Sequence, residues 1–117
     1  MKHKRRNPET GEVILLDFPG VTVTKRRPAV IVSSSLYHRE RPDVIVGLMT
    51  SQLGSASSLT DYVLEDWQHS RLWRPSAFRS FLITVSKSAI TGRLGKLSSK
   101  DWSAVVQRLA LALGQVE

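Results

Sequence analysis

The stretch Val13-Ile14-Leu15-Leu16-Asp17-Phe18 is a short apolar run that stops at Pro19-Gly20. An apolar run of this length, closed by two turn residues, predicts a buried β-strand. Two runs of the same kind follow at residues 29–32 and 44–49, and the second leads directly into Thr50. The first fifty residues therefore predict three buried strands in series.

The rest of the chain predicts weaker strands and one clear helix. Short strands are predicted at residues 61–64, 81–85 and 89–94, and one helical turn at residues 65–71. The helix begins at Ser98, which together with Asp101 resembles a capping box, and Gly114 stands at its C-cap position. Its apolar stripe consists of Trp102, Val105, Val106, Leu109 and Leu113, which leaves Leu111 for a second surface. Strands followed by a helix predict an α+β, mainly β domain, or a curled β-barrel with a helical cover.

Length and composition restrict the class of protein. The chain has 117 residues, which indicates one domain, and it has no cysteine, which excludes disulfides, thiolate metal sites and thiol catalysis. No apolar run approaches the roughly 20 residues of a membrane span, and no apolar segment follows the basic N-terminus as in a secretory signal. We therefore expect a cytoplasmic protein that does not associate with membranes.

The positive charge is concentrated at the N-terminus. The formal net charge is +7, from 17 Lys and Arg residues against 10 Asp and Glu. Four of the basic residues are Lys2, Lys4, Arg5 and Arg6, so the remainder is only mildly basic. We expect residues 1–10 to form a basic, flexible tail and residues 11–117 to form a single domain. The tail either adds counterion-release affinity for a polyanion or is a solubilising terminus.

The segment Lys25-Arg26-Arg27-Pro28 comes immediately before the second predicted strand. Pro28 lacks an N–H and favours extended geometry at Arg27, so this arginine would project from the strand end at a defined place. A guanidinium group offers a planar fork of donors that suits phosphate oxygens, including the charge that develops during phosphoryl transfer. A solvated basic turn is the alternative interpretation.

The segment Thr50-Ser51-Gln52 follows the third predicted strand. Three polar groups at a strand end can supply hydroxyl donors and an amide that is able to read base edges. Alternatively, the hydroxyls cap the strand end by bonding to the local backbone. Neither this segment nor the basic one is specific when taken alone.

Other kinds of site receive little support from the sequence. We expect the histidines, which are His3, His38 and His69, to lie at the surface without pairing for acid–base chemistry. Metalloprotease, P-loop and nucleophile-elbow motifs are absent, and the acidic residues lack metal-ligand spacing, so we expect no metal and no cofactor. The tryptophans, which are Trp67, Trp73 and Trp102, are expected to be core or interface aromatics. Trp73, between Arg71 and Arg74, is the best placed of them to stack on a base.

The order of these pieces resembles the MazF/PemK toxin family. The resemblance is carried by residues 11–18, 27–33, 48–52, 78–85 and 90–98, and it extends over roughly residues 11–114. It implies an SH3-like small β-barrel (CcdB/MazF/PemK-like) with a C-terminal α-helix, which acts as a homodimer. It also implies a sequence-specific, metal-independent endoribonuclease toxin of a type II toxin–antitoxin system, which is neutralised by a cognate antitoxin protein.

In this family the ribose 2′-OH of single-stranded RNA attacks the adjacent phosphorus, which leaves a cyclic phosphate and a 5′-OH. By position, the resemblance implies that Arg27 stabilises the charged phosphorane and that Thr50 holds the scissile phosphate. The RNA-binding residues it implies are Lys25, Arg26, Ser51, Gln52 and Arg79.

The linker between the first two strands departs from the family pattern. Many members have a longer loop there that can carry an acidic residue near the site, whereas residues 19–26 are few and contain no acid. The general base is therefore unassigned, and Asp17 is a poor substitute because the alternation of its strand leaves its direction open. Two other functions stay open: a barrel that binds nucleic acid or an antitoxin without cleaving, and a CcdB-like toxin directed at DNA gyrase. Arg27 and Thr50 favour the nuclease.

Overall fold

The structure, a computed structural model, describes residues 6–19 and 24–114. The strands in these ranges are β1 (Glu12–Pro19), β2 (Thr24–Ile31), β3 (Asp43–Thr50), β4 (Tyr62–Val63), β5 (Ala77–Ser86) and β6 (Ile90–Lys96). The helices are α1 (Ser35–Glu40) and α2 (Ser99–Ala112), with short 3₁₀ turns at Leu53–Ser55 and Lys87–Ala89. Neither α-helix is long and apolar enough to cross a membrane.

The strands form one antiparallel sheet in the order β4-β5-β3-β2-β1-β6. This confirms the predicted α+β, mainly β architecture with a C-terminal helix. Within the described ranges the edge strands β4 and β6 are not hydrogen-bonded to each other, so the sheet is open where a closed barrel was expected.

The central strands are buried on both faces, which explains their continuous apolar runs. Successive side chains of a strand point to opposite faces of the sheet. Val13 and Val30, paired across β1 and β2, belong to a cluster that also contains Val105 of α2. The next pair, Ile14 and Ala29, belongs to a second cluster on the other face.

The start of α2 only partly follows the predicted capping box. Ser98 Oγ accepts a hydrogen bond from the Asp101 backbone N–H at 3.1 Å, as an N-cap residue should. A capping box also requires the Asp101 side chain to bind the Ser98 backbone N–H. This half of the prediction is wrong, because the Asp101 carboxylate is fully buried and binds β4 and the segment after it. It accepts hydrogen bonds from the Tyr62 hydroxyl at 2.7 Å and from the backbone N–H groups of Glu65 and Asp66 at 3.1 and 2.9 Å.

Three local expectations were wrong. The short helix α1, capped by Ser34, occupies a segment in which no helix was predicted, because six residues are too few to show a helical period. β5 begins at Ala77 rather than at residue 81. Residues 67–71 form a turn with successive i to i+3 hydrogen bonds, ended by the left-handed Arg71, rather than an α-helical turn.

The segment before β1 packs against the sheet from Arg6 onward. The Arg93 guanidinium donates to the backbone carbonyls of Arg6 at 2.6 Å and Asn7 at 3.1 Å. Thr10 Oγ1 donates to the Ser33 carbonyl at 2.7 Å. The other basic residues of the expected tail, Lys2, Lys4 and Arg5, lie outside the described residues together with His3.

Candidate active site

The two polar segments singled out in the sequence lie side by side at one end of the sheet. β2 and β3 pair antiparallel with Ala29 opposite Leu48. Continuing this register by two residues places Arg27 opposite Thr50, with both residues on the same face. The pairing of β2 with β3 therefore brings together the two residues expected to be catalytic.

A groove, here named the basic groove, crosses this end of the sheet. It consists of two adjoining cavities of about 410 and 460 Å³, which share Arg27, Pro28, Met49, Thr50 and Gln52. The first cavity is also lined by Leu48, Ser55, Arg79 and Phe81, and the second by Lys25, Arg26, Ser51, Leu72, Trp73, Arg74 and Ser76. Every residue expected to act on RNA or to bind it thus lines this groove.

The groove is cationic. Its charged lining residues are Lys25, Arg26, Arg27, Arg74 and Arg79, and no Asp or Glu lines it among the described residues. Of these five, only Arg26 forms an ion pair within the described ranges, with its Nε 3.2 Å from Asp17 Oδ1. The other four cations leave their positive charge available to a polyanion.

Asp17 is turned away from the face that carries Arg27 and Thr50. In the β1–β2 register Asp17 lies opposite Arg26, whereas Leu16 lies opposite Arg27. Because neighbouring residues alternate between faces, the Asp17 carboxylate lies on the opposite face from Arg27. Its ion pair with Arg26 and its absence from the lining of the groove both argue against a role for Asp17 as the general base.

The Thr50 hydroxyl is oriented by its own loop. Thr50 Oγ1 accepts a hydrogen bond from the Gln52 backbone N–H at 3.0 Å. The Gln52 carbonyl in turn accepts bonds from the Ser55 hydroxyl at 2.8 Å and the Ser55 backbone N–H at 3.0 Å. Thr50 therefore does both things that the sequence presented as alternatives. It bonds to the local backbone at the strand end, and it lines the groove.

An irregularity in β5 directs Arg79 into the groove. Gly47 pairs with Leu82 and Met49 with Phe78, so three residues of β5 stand opposite Leu48 alone. Bulges of this kind change the direction in which side chains point. The Arg79 Nε atom is buried and has no hydrogen-bond partner among the described residues. A buried donor without a partner is uncommon, and here it lies beside a cavity that could hold an acceptor.

Gly47 lies next to this irregularity and packs closely against Phe78. A Cβ atom at residue 47 would lie 2.3 Å from Phe78 Cε1 and 2.8 Å from Phe78 Cζ. Phe78 is fully buried, so it has no room to move aside. The position therefore requires glycine for close packing.

The two histidines within the described ranges do not line the groove. His38, expected at the surface, is instead buried on α1, with Nε2 2.6 Å from Ser33 Oγ. Burial lowers its pKa, and the nearby charge of Lys87 lowers it further. His69 is exposed and does not line the groove. Among the described residues there is no group of three His, Cys, Asp or Glu residues that could hold a metal ion.

The tryptophans divide into two kinds. Trp67 and Trp102 are partly buried and pack against the core cluster between the sheet and α2, as expected. Trp73 is 67% exposed and lines the groove, so of the two expected places, core or interface, the core is wrong for this residue. In the sequence, Trp73 stood out from the other tryptophans because two arginines flank it.

Solved structures with a similar fold include endoribonucleases and a MazE–MazF complex. An endoribonuclease in complex with its cognate antitoxin, from a mycobacterial species, superposes with a TM-score of 0.75 at 18% identity, covering 94% of this chain and 98% of that one. A mycobacterial endoribonuclease gives 0.74 at 20% identity, covering 93% of each chain. The MazE–MazF complex from Deinococcus radiodurans gives 0.74 at 17% identity, covering 93% of this chain and 98% of that one. At these identities the likeness shows the shared fold.

The sequence itself identifies the family. No curated protein sequence matches the chain. Residues 9–113, which include the whole sheet and α2, match the family described as PemK-like, MazF-like toxin of type II toxin–antitoxin system. The resemblance inferred from the short motifs is thereby confirmed, and the chain belongs to the PemK-like, MazF-like toxins of type II toxin–antitoxin systems.

Proposed function

We propose that this chain is a metal-independent, sequence-specific endoribonuclease toxin that cleaves single-stranded RNA in the basic groove. The observation that carries the proposal is that Arg27 and Thr50 line the same two cavities, within a lining that contains five cations and, among the described residues, no acid. Family membership and the fold shared with solved endoribonucleases support it.

The reaction is an internal transfer of the phosphodiester. The ribose 2′ oxygen forms a bond to the adjacent phosphorus, and the bond from phosphorus to the 5′ oxygen of the next nucleotide breaks. The 2′ hydroxyl loses its proton and the departing 5′ oxygen gains one, so the products are a 2′,3′-cyclic phosphate and a 5′-OH end. The step balances without a water molecule as reactant.

Arg27 and Thr50 have complementary roles in this step. The Arg27 guanidinium supplies donors and positive charge where the phosphorane becomes more negative than the ground state. Thr50 Oγ1 already accepts the Gln52 N–H, so its own proton is available to a phosphate oxygen. Lys25, Arg26 and Arg79 contact neighbouring phosphates, and Ser51 and Gln52 contact base edges.

The composition of the groove also affects the proton transfers. Neither a carboxylate nor an imidazole lines it among the described residues. We therefore expect the cleavage rate to keep rising between about pH 6 and pH 8, without the plateau that a histidine base would produce.

The same proposal covers partners and location. We propose that the chain acts in the cytoplasm as a homodimer and is neutralised by a cognate antitoxin. The family description and the antitoxin complexes of the structural neighbours support the antitoxin. Leu111, with Val106 and Leu113, leaves apolar surface exposed on α2 that a second copy could cover. Sedimentation of the purified protein tests the dimer, and a monomer over the whole concentration range would contradict it.

The experiment is incubation of purified protein with a long single-stranded RNA in EDTA, followed by analysis of the ends. Discrete cuts with 5′-OH ends, lost in Arg27→Ala and Thr50→Ala, support the nuclease. Arg39→Ala is the matched control, because Arg39 is an exposed arginine on α1 outside the groove. Uncut RNA bound with a steep salt dependence contradicts cleavage and indicates a binding protein. Inhibition of DNA gyrase without RNA binding also contradicts it and indicates a CcdB-like toxin.

A further inference from the structure

We propose that Trp73 is a base-stacking platform, on which an unpaired base of the bound RNA lies next to the phosphate held by Arg27 and Thr50. The inference rests on the proposed function, because it specifies how the same groove holds its substrate. It adds a binding residue to those implied by the resemblance. The evidence comes from the exposure of Trp73, the turn that carries it and the charges around it.

Trp73 exposes a large aromatic surface inside the groove. It is 67% exposed and lines the same cavity as Arg27, Thr50 and Gln52. Within the described ranges no aromatic ring and no guanidinium group stacks on its indole. An exposed indole gives up little of its own packing when a flat ligand covers it.

A rigid turn holds Trp73 in this position. The Arg71 N–H donates to the Gln68 carbonyl at 3.0 Å, and the Leu72 N–H donates to the Trp67 carbonyl at 3.4 Å. This bond pattern, with Arg71 at a φ of 64°, is a Schellman motif whose left-handed position is occupied by a residue other than glycine. Leu72 is buried in the core cluster against which Trp67 packs, so the chain turns outward immediately afterwards.

The turn is also seated on the sheet. A Cβ atom at Gly95 of β6 would lie 3.0 Å from the Ser70 carbonyl oxygen, which shows how closely the turn approaches the strand. Anchoring by Leu72 and contact with β6 fix the turn before any ligand arrives. A platform that is already fixed avoids part of the ordering cost of binding.

The surrounding charges favour a nucleic-acid base over an apolar protein segment. Arg74, Lys25 and Arg27 line the same cavity as Trp73, and no described Asp or Glu lines it. Cations that follow a phosphate backbone, combined with an aromatic ring that stacks on a base, are the usual arrangement for binding single strands. A base within a duplex is already stacked and could not use the indole.

The experiment measures binding of a short, fluorescein-labelled 2′-O-methyl RNA of mixed sequence, which binds but lacks the attacking hydroxyl. We expect Trp73→Ala to raise Kd roughly tenfold and Trp73→Phe to restore most of the affinity. Leu36→Ala is the control and should bind like wild type, because Leu36 is also largely exposed (60%) but lies on α1. Thermal melting confirms that each variant is folded.

A scan with single abasic sites distinguishes stacking from a general structural effect. In the wild type, removing the base at one position of the probe should weaken binding, and in Trp73→Ala the same removal should have no effect. If no position shows this dependence on Trp73, or if Trp73→Ala binds as tightly as wild type, the inference is overturned. RNA cleavage in EDTA is measured in parallel, so failure of the nuclease and failure of the stacking platform are seen separately.

Discussion

The Thr50 hydroxyl oxygen accepts a hydrogen bond from the Gln52 backbone N–H at 3.0 Å, at the point where β3 ends in the basic groove. This bond occupies the acceptor side of the hydroxyl and leaves its proton available to a ligand. Beside it, Arg27 enters the groove from β2. An ordinary strand-end hydrogen bond thus orients the Thr50 hydroxyl as a donor next to the Arg27 guanidinium group.

Replacing the Thr50 hydroxyl tests this arrangement. Thr50→Val keeps the branched shape but removes the donor, and we expect the cleavage rate to fall about 10²-fold. Thr50→Ser keeps the donor and should retain most of the rate, measured in single turnover with excess protein. Thr84→Val on β5 alters a threonine outside the groove and should cleave normally. Wild-type cleavage by Thr50→Val would rule out this role of the hydroxyl.

The basic N-terminus makes a separate prediction about salt. Deleting residues 1–5 removes Lys2, Lys4 and Arg5 but keeps the Arg6 carbonyl that binds Arg93. If the three cations contact phosphates, the slope of log Kobs against log salt concentration should flatten by up to about 2. Titrations of the 2′-O-methyl RNA over a range of salt measure this slope. An unchanged slope would mean that the terminus only adds solubility.

Asp101 is expected to be essential for stability. Its buried carboxylate accepts hydrogen bonds from two backbone N–H groups and from the Tyr62 hydroxyl. In Asp101→Asn an amide group would turn a donor toward at least one of these donors, and we expect the free energy of unfolding to fall by about 3 kcal/mol. Urea denaturation measures it.

The control is the exposed ion pair between Glu65 and Lys100 nearby. Glu65→Gln removes a charge from the same segment without burying a donor, so its midpoint should stay at the wild-type value. If the two substitutions changed the free energy of unfolding equally, Asp101 would contribute no more to stability than an exposed charge does.

His38 should make the protein less stable in mild acid. Burial and the charge of Lys87 lower its pKa in the folded state below the ordinary value of 6.5. Above pH 6.5 both states are neutral at this residue. As the pH falls below that value, the unfolded chain takes up the proton first, so stability decreases until the folded pKa is reached.

The measurement is the free energy of unfolding between about pH 7.5 and pH 5, for wild type and His38→Gln. The loss assigned to His38 is at most about 1.4 kcal/mol per pH unit, and it should be missing from the variant. An identical pH dependence in the two proteins would show that His38 titrates alike in the folded and unfolded chain.

Features with a local cause could be predicted from the sequence. The apolar runs of β1, β2 and β3 and the N-cap at Ser98 each depend on a few neighbouring residues, and the structure contains all of them. The two polar segments of the site were also visible. Their meeting, however, depends on the pairing of β2 with β3, which the resemblance to a family supplied and no single segment could.

Features with a distant cause could not be derived from neighbouring residues alone, although the family resemblance implied Arg79 and the flanking arginines drew attention to Trp73. Arg79 reaches the groove because β5 is bulged opposite Leu48, and the bulge depends on packing between strands. Trp73 is exposed because Arg71 adopts a left-handed conformation without being a glycine, the residue that usually signals one. Asp101 was expected to cap its own helix, but Tyr62 of β4 and the segment after β4 together provide three donors that no local pattern indicates.

The central claim is that Arg27 and Thr50 act together on one phosphate. The most direct test is a double-mutant cycle of single-turnover RNA cleavage in EDTA, using wild type, Arg27→Ala, Thr50→Val and the double variant. We predict 5′-OH ends from the wild type, a loss of about 10² to 10³ for each single variant, and a double variant far faster than the product of the two losses would give. Wild-type rates in Arg27→Ala, or two losses that simply multiply, would contradict the claim.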